Sequence, residues 1–146
     1  STGAYYNAVN YFWNAAPTST VNELKNDWFV NYNGSEYIMY NFHSVDGYQK
    51  IGTYTGNGSS TGPVVTTGFQ PRFIMVKRTD STGDWMIYDS VRDTTNPVTN
   101  RLFANLNSAE VDVNLGIDFD ATSFQPKDTH VYLNASGGTY IYLAIA

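Results

Sequence analysis

Apolar and polar residues alternate along this chain in short runs, each closed by Gly, Asn, Asp, Ser or Pro. A period of two marks a strand with one buried face, and the closing residues are turn formers. The pattern predicts strands at 27–32, 36–43, 48–55, 63–67, 71–79, 84–91, 101–106, 115–119, 129–133 and 138–145. "RFIMVKRT" (72–79) is apolar on both faces at its start, as a central sandwich strand is. "RTDSTGDW" (78–85) reads as a hairpin connection and "GNGSSTGP" (56–63) as a flexible loop or wide turn. Helix evidence is confined to "TNRLFANLNSAEV" (99–111), where Leu102, Leu106 and Ala109 fall at i, i+4, i+7. Its asparagines limit it to a turn or two. The expected fold is all-β, an antiparallel β-sandwich over residues 47–146, with Ile74, Val76, Ile87, Phe103, Phe119, Ile141, Leu143 and Ile145 in its core.

One pattern occurs twice. "NYNGSEYIMYNF" (31–42) is echoed by "NASGGTYIYLAI" (134–145): Asn31 matches Asn134, Gly34 matches Gly137, and Tyr37-Ile38 matches Tyr140-Ile141, always 103 residues apart. Going backwards without a gap, Val30 matches Leu133, Phe29 matches Tyr132, Val21 matches Phe124, and Ser19-Thr20 matches Thr122-Ser123. Ile38, Tyr40 and Phe42 share one strand face, and so do their apolar counterparts Ile141, Leu143 and Ile145. Duplication explains a gapless match that keeps this parity. The organisation expected is a complete repeat at 47–146, preceded at 1–46 by the C-terminal part of a first, incomplete one. On that reading the chain is a fragment, a processed product or the ordered part of something longer.

Composition narrows the classes. Of 146 residues, 42% are hydrophobic, 16% aromatic and only 14% charged, about half the usual charged share. The net charge is −5 and no basic stripe exists, which argues against nucleic-acid binding. No apolar run approaches membrane-spanning length, so no membrane insertion is expected, and the first residues do not read as a signal peptide. Cysteine is absent, which removes disulfides, thiolate chemistry and zinc-thiolate sites.

Candidate chemistry is sparse. His43 and His130 lie far apart, neither has a second ligand at metal spacing, and no nucleophile elbow accompanies them. "GTYTGNGSSTG" (52–62) has glycines but runs into Pro63 and another strand, not into a helix N-terminus. Asp118 and Asp120, and Asp80 and Asp84, read as turn formers more readily than as calcium ligands. Glu23, Glu36 and Glu110 are the only glutamates, a poor supply for paired-carboxylate catalysis. The Asn-X-Ser triplets at 33–35, 57–59 and 134–136 follow from composition. No catalytic, metal or cofactor residue is assigned. Aromatics remain as interface material, above all in the half-domain that lacks a complete core: Tyr5, Tyr6, Tyr11, Trp13, Trp28, Tyr37 and Phe42.

Several long segments carry a resemblance: "HSVDGY" (43–48), "GTYTGNG" (52–58), "TGFQPRFIMVKR" (67–78), "WMIYD" (85–89), "RLFANLNSAE" (101–110) and "GGTYIYLAIA" (137–146). Together they resemble a β-rich repeat at the C-terminal end of large bacteriophage appendage proteins of the marine and cyanobacterial phage type, often found after a laminin-G-like domain. "PTSTVNELKNDWFVNYNGSEYIMYNF" (17–42) looks like the end of the more divergent repeat that precedes it there. The resemblance implies a non-enzymatic tail-fibre or virion component, exposed on the particle surface. Its partners would be copies of itself or other virion proteins, with a host-surface glycan as a further candidate. A carbohydrate-binding module, a capsid-decorating protein and an extracellular filament subunit stay open as alternatives.

Overall fold

The structure, a computed structural model, describes residues 13–146. These divide into two compact units, 13–41 and 42–146.

In the larger unit the alternating runs become strands β1 (Gln49–Thr55), β2 (Val65–Thr66), β3 (Phe73–Arg78), β4 (Met86–Asp89), β5 (Val98–Phe103), β6 (Val111–Asp120), β7 (Ser123–Pro126) and β8 (Thr139–Ile145). All pairings are antiparallel, as expected for an all-β antiparallel fold. The strands form one hydrogen-bonded sheet in the order β1-β8-β3-β4-β5-β6-β7-β2, where two facing sheets were expected. The sheet curls until rings from its two ends meet. Phe124 of β7 lies edge-on to Tyr142 of β8 at 5.1 Å and to Tyr54 of β1 at 5.8 Å. The core is therefore enclosed by opposite ends of the same sheet.

Ile74, Val76, Phe119 and Leu143 are buried as expected. Ile87, Phe103, Ile141 and Ile145 are only half-buried. The inward face of β8 is instead Tyr140, Tyr142 and Ala144. Tyrosine can occupy a core when its hydroxyl finds a partner. Tyr140 donates to the Val131 carbonyl at 2.8 Å, and Tyr54 to the Leu133 carbonyl at 2.7 Å. Gly52, opposite Tyr142 in the β1–β8 ladder, leaves room for that ring, since a Cβ there would lie 2.8 Å from the Tyr142 hydroxyl. Gly116 plays a similar part where β5 and β6 slip register: its Cβ would sit 1.8 Å from the Val98 carbonyl oxygen.

Four sequence expectations are corrected. The 129–133 run is a helical turn, α1 (Val131–Asn134), because the His130 carbonyl accepts from the Leu133 and Asn134 amides and its Nδ1 accepts from the Tyr132 amide. The run 27–32 is likewise a turn, closed on the Asp27 carbonyl, and 36–43 has no ladder partner among the described residues. The turn or two of helix allowed within 99–111 does not form: the strand expected at 101–106 starts earlier, as β5, and Leu106 is exposed beyond it. Strand β7 was not foreseen; it folds back on β6 with Phe119 opposite Phe124.

Candidate functional site

Within residues 13–41 the chain is held by local bonds. Thr18 closes a turn, accepting the Val21 amide on its hydroxyl at 2.9 Å, and Trp13 bridges to Leu24 on either side of that turn. Asp27 caps a second turn through the Phe29 amide at 2.9 Å. The Tyr37 hydroxyl ties this turn to the chain beyond it: it donates to the Trp28 carbonyl at 2.9 Å and accepts from the Tyr32 amide at 3.1 Å. These bonds leave the large side chains outside. No residue from 13 to 48 is buried, and Trp28 (69%), Ile38 (82%) and Tyr40 (78%) are mostly exposed.

Of the expected interface residues, Tyr5, Tyr6 and Tyr11 lie outside the described residues. Trp13 is half-buried, while Trp28, Tyr37 and Phe42 are exposed. The hydroxyl of Tyr37 is committed to its own turn, so only its ring is free for contact.

A second location is a cleft of about 420 Å³ on the larger unit, between the 70–72 segment and the β4–β5 loop. The loop sequence "SVRDTTNPVTN" (90–100) is rich in turn formers, and a carboxylate organises it. Asp93 accepts from the amide and hydroxyl of Thr95 at 3.1 and 2.6 Å, and from the amides of Thr99 and Asn100 at 2.7 and 2.9 Å. Burial works against its charge, but these hydrogen bonds outweigh it and hold the carboxyl far below the usual range. Asn96 accepts the Phe119 amide at 2.9 Å, and Gln70 donates to the Phe119 carbonyl at 3.2 Å, so both walls are pinned to β6.

Arg72, Ser90 and Thr94 line this cleft over an apolar base of Pro71, Val98 and Phe119. Among the described residues no carboxylate lies within ion-pair distance of Arg72, whereas Arg78, Arg92 and Lys127 are all paired. The arrangement suits an anionic, hydroxylated small ligand: one cation, several neutral hydrogen-bonding groups and an apolar base. Sequence reasoning missed this cleft, because its residues come from three separate segments and match no motif.

The remaining candidate residues are committed elsewhere. His130 is an N-cap, and burial, aided by the nearby charge of Arg101, lowers its basicity. The His43 carbonyl accepts from the Gln49 side chain. Asp80 takes a two-pronged bond from Arg78 at 2.9 Å, which holds its carboxyl far below the usual range, while Asp84 accepts from Asn105 and Asp118 pairs with Lys127 at 3.0 Å. Asn134 is fully buried, its amide donating to Asn57 and to the Ser59 carbonyl, which removes it from any modification site.

The fold and its two candidate surfaces define an all-β antiparallel domain with a coreless leading segment. The chain belongs to the DUF7483 family, a domain of unknown function whose profile matches residues 1–146. No curated protein and no solved structure matches it.

Proposed function

We propose that this chain is a non-enzymatic structural component of a bacteriophage virion, a tail-fibre or other surface-appendage module that serves assembly and host attachment. The resemblance of its long segments to phage appendage repeats supports the virion assignment. The observation that carries the assembly role is the absence of any buried residue from 13 to 48, beside several mostly exposed large apolar side chains. A segment this short without a core gains little by folding alone, and an apolar surface of this kind is usually a contact surface. Its partners on this reading are copies of itself or other virion proteins.

Electron microscopy of particles labelled with an antibody against the chain tests the assignment. Label on tail fibres or appendages supports it. Label spread over the shell favours capsid decoration, and label on cell-derived filaments favours a subunit outside any phage.

The cleft at Arg72 favours a second reading, in which carbohydrate binding is the main role. The ligand would be an acidic sugar, its carboxylate on the Arg72 guanidinium and its hydroxyls on the neighbouring polar groups.

A further inference from the structure

The turn that closes the sheet is built twice, bond for bond. In the complete unit His130 accepts the amides of Leu133 and Asn134 on its carbonyl, and that of Tyr132 on its side chain. Asp27 accepts the corresponding amides of Val30, Asn31 and Phe29 in the same way. Gly137 comes next with φ 73°, and Gly34 with φ 82°. The Gly138 amide donates to the Ala135 carbonyl, as the Ser35 amide does to that of Tyr32. Tyr140 donates to Val131 and accepts from Ala135; Tyr37 donates to Trp28 and accepts from Tyr32. Every partner pair is related by the same sequence offset.

Beyond the turn the two copies differ. Tyr140 leads into β8, which is paired along its whole length with β1 on one side and with β3 on the other. Tyr37 lies in 36–42, which has no ladder partner among the described residues. The turn is local and forms without a sheet, whereas a strand needs neighbours. Within this sequence β1 and β3 are already taken by β8.

We propose that residues 36–42 are a β8-type strand whose pairing is completed between strands of the β1 and β3 kind other than the two at 49–55 and 73–78. The inference rests on the assembly reading above and gives that surface a partner and a register. Transposed from β8, Ile38 comes opposite positions of the Thr53 and Lys77 type, Tyr40 opposite the Ile51 and Met75 type, and Phe42 opposite the Gln49 and Phe73 type. Tyr37 and Met39 then turn to the inner face, in the places of Tyr140 and Tyr142. Backbone pairing supplies the affinity in such strand addition, and the alternate side chains supply the register.

The test is hydrogen exchange, read by mass spectrometry on the full chain, with a synthetic polypeptide of residues 47–80 as the probe for both strand types. A scrambled peptide is the control, and Met39→Pro removes a pairing amide from a segment outside the main sheet. The expected result is fast exchange across 36–42 in the free chain, slowed about a hundredfold or more by the probe. The scrambled peptide has no effect, and the proline variant abolishes the slowing. Slow exchange in the dilute free chain, no change with the probe, or slowing that survives Met39→Pro each overturns the proposal. Should the chain self-associate by light scattering while 36–42 still exchanges freely with probe present, the assembly reading stands and the strand pairing fails. A monomer indifferent to the probe counts against both.

Discussion

Tyr140 stacks on Tyr54, their ring centroids 4.8 Å apart and their planes 12° from parallel. Its counterpart Tyr37 has the same two hydroxyl bonds but an exposed ring. The same side chain is thus a core element in one copy and a surface brace in the other, and the two sites respond differently to substitution.

Tyr140→Phe removes the hydroxyl of a buried ring; the Val131 carbonyl keeps its bond from Arg78, but the Ala135 amide loses its acceptor. Leaving one such group unpaired costs about 1–3 kcal/mol. Urea unfolding should show a loss of that size for Tyr140→Phe, with the dependence on denaturant unchanged. Tyr37→Phe, in a segment without a core, should shift the transition of the main sheet by less than about 0.5 kcal/mol.

Asp93 makes stability depend on acid. Its carboxyl titrates lower in the folded chain than in the unfolded one, where a value of about 3.9 applies. A depressed folded value means the contribution is present in full above the unfolded value and drains away as pH falls towards the folded one. Thermal unfolding from pH 6 to pH 2 should therefore show a steep loss below about pH 4. Asp93→Asn, less stable at neutral pH, should flatten that part of the curve. Asp80 is depressed too and acts in the same window, so some slope survives the substitution. An unchanged slope in Asp93→Asn counts against the role given to its hydrogen bonds.

The sequence made the larger unit legible because its core strands obey period two. "FIMVKR" delivers Ile74 and Val76 to the interior as alternation requires. It misled at β8, where Ile141 and Ile145 looked inward on hydropathy alone. Hydropathy does not register that Tyr140 sheds its polar cost through backbone groups supplied by the α1 region. The likeness of the two turns was readable from matched residues, yet the shared capping role of Asp27 and His130 was not: the two share no residue type, and capping needs only an acceptor at the right place. The Arg72 cleft left no linear trace, because Gln70, Arg72, the 90–98 loop and Phe119 meet only when the sheet curls.

At that cleft, ligand-observed NMR with oligomers of glucuronic acid and of glucose separates charge recognition from general sugar binding. The acidic oligomer should bind measurably better. Arg72→Ala should weaken it about tenfold, with Arg72→Lys between the two. Arg72 makes its main-chain bonds to Ile145 and Ser90 whatever its side chain, so the fold is retained. Equal binding of both oligomers, or an Arg72→Ala variant that binds as before, removes the acidic-sugar reading.

The central claim is that the exposed apolar surface within 13–48 is covered in the assembled particle. Hydroxyl-radical footprinting of the isolated chain and of the intact virion measures this directly. Trp28, Tyr40 and Phe42 should be oxidised readily in the isolated chain and about tenfold less in the particle. Val64 and Val91, exposed on the larger unit, serve as internal references for the dose. Equal oxidation of Trp28, Tyr40 and Phe42 in the two states contradicts the account.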